Sequence, residues 1–445
     1  MEEDSKFDGI IDTDGLDALI NMGIVDDAII EDDSDLADDV ENNDEDGVDV
    51  NNTESVTKAL EEEGVDINLD VNFPRVIIPK TQLVQALSLA SVVIKSNSSM
   101  HVPQSLTIIP KADGVVSLFT TDEMNAFSCD VITGLSDEDL LKENVCIQAT
   151  LLTKLIPVMG NYVLIYKNTD ESDEENYNKL FIRLMDGDLV LGVQAAEESM
   201  LDQPMEKGEL ISSVVLSDLD DIVKTMLPLV NLEARPSNQK ITFVDNKAYY
   251  NSPIYIIKGN MNLPNLVLTR VDCEYIKRLS SYFKGASINL YKVKDSKVNR
   301  ILIECGNCVY TFISATPSVE DRFKQLIENA EAKNVVDVKY NQLLRITNLA
   351  VVLTYSVGRI GFRYTNDYLE ATIPSKKGDS FFKIDYSKKD TEVTESDKFI
   401  TIQADQLKKL LQSFSNVQDI SICIEDNMVV IKHDKYVAIF MHSLN

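Results

Sequence analysis

From residue 73 onward the chain alternates between short β-branched runs and segments whose apolar residues recur at helical spacing. Arg75–Pro79 is the first such run. It is followed by Thr81–Lys95, where Leu83, Val84, Leu87, Ala90 and Ile94 fall on one face of a helix. Two further strand runs, Leu106–Pro110 and Val115–Thr120, flank Asp113-Gly114, a pair that tolerates positive φ and so predicts a hairpin turn. The same order then begins again.

Three nine-residue segments mark the repetition: Ile147–Leu155 (IQATLLTKL), Val271–Leu279 (VDCEYIKRL) and Ile402–Leu410 (IQADQLKKL). Each reads β-branched, polar, small, two variable, aliphatic, variable, basic, leucine, and their starts lie 124 and 131 residues apart. That is a domain length, well above the roughly 20 to 50 residues of solenoid repeats. Each segment predicts a strand end turning into a helix, with Thr150, Asp272 and Asp405 as cap residues. Strand runs follow at Tyr162–Tyr166, Ser287–Tyr291 and Ile420–Ile424, and a second strand-helix unit lies upstream of each segment, at Val76–Lys95, Val214–Leu227 and Val336–Leu353. Two helices and several hairpins per repeat predict an α+β fold with mostly antiparallel sheet, in three tandem domains over 73–207, 208–333 and 334–445.

Before residue 73 the pattern vanishes. Glu31–Asp49 is mostly Asp, Glu and Asn, too polar to offset the entropy of ordering it, which predicts a disordered acidic tail over residues 1–72. The tail holds 26 acidic residues against Lys6 and Lys58, a net charge of −24 out of −31 for the whole chain. Residues 73–445 keep only −7, with 40 basic groups, so the body is compatible with a basic face toward a polyanion despite the acidic average. Between residues 7 and 30, Phe7, Ile10, Leu16, Leu19, Ile20, Ile24 and Ile29 are interleaved with Asp. This segment reads either as one that folds on a partner or as part of a solubilising tail.

Six cysteines, Cys129, Cys146, Cys273, Cys305, Cys308 and Cys423, sit mostly in apolar runs, as reduced buried thiols do, and no disulfide framework is expected. Cys305-Gly-Asn-Cys308 has CxxC spacing without a second pair, and between Ile301–Ile303 and Val309–Thr311 it reads as a hairpin turn. His101, His433 and His442 have no neighbouring pattern of nucleophile and acid. Asn42, Asp44, Asp46 and Gly47 lack the leading Asp and the twelfth-position Glu of a calcium loop, and no phosphate-binding glycine motif occurs. A non-enzymatic chain without metal or cofactor is expected. The start MEEDSKFDG has neither a basic nor an apolar signal region, and no stretch reaches the ~18 apolar residues of a spanning helix. A soluble protein of a bacterial or phage-infected cytoplasm, with no membrane partner, is the expectation.

Four local features, in order, carry a family resemblance: Pro103 ahead of the second strand run, Thr120–Met124 (TTDEM), Asp321-Arg322-Phe323, and Tyr436–Leu444 (YVAIFMHSL). With the threefold repeat they resemble the bacterial DNA polymerase III beta subunit, the beta sliding clamp, across residues 73–445. The family's stretches are a Leu-Pro-Ile-Leu turn, Thr-Asp-Leu-Glu-Met, Asp-Gly-Arg-Phe-Pro and Tyr-Val-Val-Met-Pro-Met-Arg-Leu. The chain departs from them in several places. Met-Pro is Ile439-Phe440, the Arg is replaced near His442-Ser443, and Ser98 and Ser99 stand where the family has basic residues. The second-domain Thr-Asp-Gly-His-Arg loop has no counterpart around Asn246–Gly259. Partner motifs are therefore expected to differ, as in a divergent phage-encoded version.

The resemblance implies a head-to-tail homodimer whose six domains close a ring, with helices lining a channel around double-stranded DNA. Lys95, Lys154, Lys224, Lys277, Arg278, Lys284, Arg345, Lys408 and Lys409 lie in or at the ends of predicted helices and are the candidates for sequence-independent phosphate contacts. It also implies a hydrophobic pocket bordered by the C-terminal strand, with Met441 and Leu444 carried over, where DNA polymerase and clamp-loader peptides dock. The function expected is a polymerase processivity factor. Two alternatives stay open: a co-activator of the same fold that recruits RNA polymerase through the tail, and a β-rich structural or decoy protein that never encircles DNA. The tail's charge is also expected to compete with phosphates for the basic helices.

Overall fold

The computed structural model describes residues 73–94, 104–122, 124–184, 187–191, 205–233, 235–252, 255–261, 263–333, 335–353, 358–374, 379–388, 398–414, 417–425 and 427–442. The expected tail and the acidic loop at Asn42–Gly47 lie outside them. The described residues fall into two compact units, one within the bounds Met1–Pro204 together with Asn307–Val309, the other within Met205–Gly306 and Tyr310–Asn445.

The first unit contains β1 (Arg75–Pro79), α1 (Lys80–Ala90), β2 (Ser105–Pro110), β3 (Val115–Thr121), β4 (Ala126–Ile132), β5 (Val145–Gln148), α2 (Ala149–Leu155), β6 (Tyr162–Lys167), β7 (Leu180–Leu184) and β8 (Gly187–Leu191). In the second come β9 (Lys207–Val215), α3 (Leu216–Val230), β10 (Lys240–Val244), β11 (Lys247–Asn251), β12 (Tyr255–Asn260), β13 (Leu266–Thr269), α4 (Arg270–Tyr282), β14 (Ser287–Val293) and β15 (Arg300–Cys305), whereas β16 (Cys308–Ile313) begins in the first unit and continues in the second. Helix α5 (Asp321–Glu331) leads into β17 (Val336–Lys339), α6 (Tyr340–Leu353), β18 (Arg359–Tyr364), β19 (Tyr368–Ile373), β20 (Ser380–Lys388), β21 (Ile400–Gln403), α7 (Ala404–Ser413), β22 (Asp419–Glu425), β23 (Met428–His433) and β24 (Tyr436–Met441).

Among the described residues the order strand, helix, three strands occurs six times, and α5 is the helix that stands outside it. Consecutive passes are stitched crosswise. The strand entering one helix pairs antiparallel with the strand leaving the other: β1 with β6 and β5 with β2, β9 with β14 and β13 with β10, β17 with β22 and β21 with β18. Neither pass of a pair can complete its sheets without the other. The mixed, largely antiparallel architecture is the expected one.

Local sequence explains the junctions. Asp113 and Gly114 both take positive φ, 62° and 68°, and turn β2 into β3, whose partners run from Thr107↔Phe119 to Pro110↔Val116. Between β3 and β4, the Asp122 carboxylate accepts hydrogen bonds from the amides of Met124 and Asn125. At α4 the hydroxyl of Thr269 accepts from the Asp272 amide while the Asp272 carboxylate accepts from the Thr269 amide, a reciprocal capping box. Buried Asp272 also accepts from the Tyr310 hydroxyl at 2.7 Å, and Tyr310 stacks on Tyr275 with centroids 4.1 Å apart.

These junctions correct the repeat's register. Helices α2 and α7 begin at the third residue of their nonapeptides, but α4 begins at Arg270, one residue before Val271. Equivalent N-caps are Gln148, Thr269 and Gln403, spaced 121 and 134 residues apart. Thr150 and Asp405 lie inside their helices, and neither Gln148 nor Gln403 makes a side-chain cap bond, so only Asp272 takes part in a cap.

Candidate nucleic-acid interface and partner groove

In the second unit α3 packs on α4, α7 on α3 and α6 on α7, which makes a row of helices in the order α4, α3, α7, α6. Their apolar faces are buried; their outer stripes carry the candidate contacts. On α4 the stripe is Arg270, Glu274, Lys277 and Ser281, spaced i, i+4, i+7 and i+11. Arg270 and Lys277 are exposed, and Lys284 is exposed just beyond the helix end. Helix α6 presents Asn341, Arg345, Asn348 and Val352 at similar spacing. Helix α7 contributes exposed Lys409 and half-buried Lys408. Among the described residues, no carboxylate lies within ion-pair distance of Arg270, Lys277, Lys284, Arg345, Lys408 or Lys409.

Helix α3 behaves differently from the sequence expectation. Its Lys224 Nζ lies 2.6 Å from Asp220 Oδ2, four residues earlier, and Asp220 also accepts from the Ser280 hydroxyl of α4 at 2.7 Å. Lys224 thus has a carboxylate partner on its own helix, which the cations of α4, α6 and α7 named above lack. Asp221 is answered from β24 and the preceding turn, by Lys435 at 2.7 Å and the Tyr436 hydroxyl at 2.8 Å. Burial pushes the Asp221 carboxyl up, but the hydrogen bonds from Lys435 and Tyr436 and the charges of Lys435 and Lys224 outweigh it and hold it below the ordinary value. Gly259 of β12 allows this close approach, since a Cβ there would stand 2.7 Å from Ile222 and 3.0 Å from the Tyr436 ring.

The other candidates divide. Lys154 is half-buried in the last turn of α2, and Arg278 is half-buried on α4. Lys95 and Leu444 lie outside the described residues. Arg270 was missed because the nonapeptide starts one residue after it; the signal was Thr269-x-x-Asp272, a cap pattern that makes Arg270 the first helical residue.

A second feature is built around α5. Strand β12 pairs with β24 from Tyr255↔Phe440 to Lys258↔Val437, and β24 pairs with β23. Helix α5 lies on this sheet, burying Ile327 and Ala330 against Tyr249, Ile256, Val430, Val437 and Ile439. Phe323, Leu326, Met428 and Met441 are half-buried around that cluster and form an apolar rim. Charges pin the helix in place. Buried Lys258 pairs with Glu331, Lys324 with Asp245 at 3.0 Å, and Lys432 donates to the carbonyls of Glu331 and Lys333 near the end of the helix, at 2.8 and 2.9 Å. Met441 thus sits at the edge of a cluster whose other wall is a helix that the sequence reading did not include.

The histidines that are described are structural. His442 Nδ1 accepts from the Thr401 amide at 3.0 Å, and the His433 ring packs against Phe414. Among the described residues no group of His, Cys, Asp and Glu has metal-site geometry, and no helix is long and apolar enough to cross a membrane.

The crosswise six-pass architecture has counterparts among solved structures. A DNA polymerase III beta subunit from Eubacterium rectale superposes with a TM-score of 0.67 over 82% of this chain and 98% of its own, at 14% identity. The fold is that of the bacterial sliding clamp. A sliding clamp from Bartonella birtlesii gives a TM-score of 0.68 over 84% of this chain and all of its own, at 12% identity, and the beta subunit of Thermotoga maritima gives 0.67 at 13% identity, over 83% and 99%. No protein-family model and no curated protein matches the sequence. The clamp likeness therefore rests on structure, and it bears out the resemblance read from the repeat.

Proposed function

We propose that this chain is a DNA polymerase processivity factor that encircles double-stranded DNA as a head-to-tail homodimer of three-domain chains and slides on it. The observation that carries the reading is the clamp fold combined with a row of helices in which the exposed cations of α4, α6 and α7 are not spent on carboxylates. Three pairs of passes correspond to domains 73–207, 208–333 and 334–445, with α5 as the connection between the second and third. Exposed Leu349, Val352 and Leu353 at the end of α6 supply an apolar patch suited to a second copy, and Val352 is 68% exposed. The rim at Phe323, Leu326, Met428 and Met441 is the seat for apolar side chains of polymerase and loader peptides. A cytoplasmic location and the absence of catalysis follow from this role, because the ring contributes topology and loading energy comes from a separate ATPase.

The decisive experiment loads the protein onto a nicked circular plasmid with a cognate loader and then linearises the circle. Release on linearisation supports encirclement. Retention on linear DNA with free ends would falsify it, and a chain that stays monomeric at micromolar concentration and shows no salt-dependent retention on DNA would favour a non-encircling protein.

A further inference from the structure

The six thiols are not equivalent. Cys129 and Cys308 are both buried and face each other across a strand contact inside the first compact unit, with Sγ atoms 3.2 Å apart. The contact is held in register by hydrogen bonds. The Asp130 amide donates to the Asn307 carbonyl at 3.0 Å, and Asn307 Nδ2 donates to the Asp130 carbonyl at 2.8 Å and approaches Cys129 Sγ at 3.3 Å.

Gly306, at φ 56°, and Asn307 make the turn between β15 and β16, as the hairpin reading of Cys305-Gly-Asn-Cys308 expected. The partner of Cys308 is therefore 179 residues away and not its CxxC neighbour. Side chains directly opposite on adjoining strands have Cα atoms about 4.5 to 5.5 Å apart, which lies within the roughly 4.4 to 6.8 Å that a disulfide spans. Sulfur-to-sulfur approach thus needs side-chain adjustment and no refolding.

We propose that Cys129 and Cys308 are a modification site, a dithiol that a hydroperoxide converts into a disulfide tying Asn307–Val309 covalently to β4. One sulfur attacks the distal peroxide oxygen, the O–O bond breaks, and a sulfenic acid forms with release of an alcohol, or of water from hydrogen peroxide. The other sulfur attacks the sulfenic sulfur, the S–S bond forms and water leaves. Two electrons and two protons pass from the thiols to the hydroperoxide, and a dithiol reductant reverses the change. Because both thiols are buried, the oxidant reaches them through local opening, so the rate rises in mild urea.

The experiment treats the full chain with hydrogen peroxide, alkylates remaining thiols and digests without reductant. The expected result is a Cys129–Cys308 peptide, two fewer alkylated thiols, reversal by dithiothreitol, and a melting temperature raised by about 5 °C from closing so long a loop. Cys129→Ser abolishes the peptide and the shift, whereas Cys146→Ser retains both. Circular dichroism of Cys129→Ser establishes that it folds, and Cys129→Ala serves if it does not. A Cys305–Cys308 bridge, six alkylatable thiols after treatment, or sulfinic acid at either position without a cross-link overturns the proposal.

Discussion

The exposed cations of α4, α6 and α7 can be counted against a slope. Arg270, Lys277, Lys284, Arg345 and Lys409 are exposed and lack a carboxylate partner among the described residues, whereas Lys224 holds Asp220 at 2.6 Å. Each phosphate contact displaces counterions and contributes about 0.9 to the slope of log affinity against log salt on duplex DNA. Replacing all five by Gln should flatten that slope by about 4.5 per chain. Over a fourfold rise in salt, from 50 to 200 mM, the parent should therefore lose about 500-fold more affinity than the variant.

Fluorescence anisotropy of a short linear duplex, titrated across that salt range, reads the slope directly and is independent of topological linkage. Single variants Lys277→Gln and Arg345→Gln should each remove about 0.9, and Lys224→Gln much less, because its charge is already neutralised within α3. Melting temperatures should barely move, since exposed helix positions away from special contacts change stability by about 0.5 kcal/mol or less. An unchanged slope in the fivefold variant, or a Lys224→Gln effect equal to that of Lys277→Gln, would refute the assignment of the interface to these helices.

Other contacts make further predictions. Asp272→Ala removes half of the capping box and the hydrogen bond that the buried Tyr310 hydroxyl donates to Asp272, so it should cost about 2–4 kcal/mol in urea unfolding, while Thr150→Ala, which touches no cap, should cost well under 1 kcal/mol. Glu331→Gln leaves the buried Lys258 ammonium without its counter-charge and should destabilise by about 1–3 kcal/mol, whereas Lys258→Met should cost less because it removes the charge itself; the urea midpoints of the two variants decide the order. Cys305 and Cys423 keep their protons in the folded state up to about pH 11 but release them near 9 when unfolded, so stability is full below pH 9 and falls as pH rises through 9 to 11. Urea midpoints at pH 8 and 10.5 measure the drop, and Cys423→Ala should shrink it.

Much of the fold was legible because it is written in periodicity. The change from β-branched runs to apolar residues at helical spacing located α1, α3 and α6 to within a few residues, and Asp113-Gly114 gave its turn. The crosswise pairing of β1 with β6 and β5 with β2 was not, because nothing local specifies which strand completes which sheet. Helix α5 carried its own signal, Phe323, Leu326, Ile327 and Ala330 at i, i+3, i+4 and i+7. Its first turn is Asp321-Arg322-Phe323, a stretch that by resemblance alone reads as the close of the second domain and so masks the helical spacing. Among the candidate site residues, Lys277, Arg345 and Lys409 are exposed on helices, whereas Lys224 is paired. Its partner Asp220 stands at i−4, so an i,i+4 pairing test on the sequence alone would have separated it. The contact of Cys129 with Cys308, 179 residues apart, had no sequence signal at all.

Identities of 11–14% with clamp structures coexist with TM-scores of 0.65–0.68 because the two layers of this architecture constrain sequence differently. Strand and helix faces need apolar residues of roughly the right volume at the right period, which many sequences supply. A surface that holds phosphates without reading bases needs cations in reach, in no fixed register. Charges can then move along α4, α6 and α7 without loss, provided that α3 does not oppose them. Here two of its acids are partnered, buried Asp220 by Lys224 and Ser280 and exposed Asp221 by Lys435 and Tyr436, while Asp218 stays exposed in the first turn. Two of the three acids of α3 are thereby spent on joining α4 and β24, which leaves exposed cations on α4, α6 and α7 of a chain whose net charge is −31.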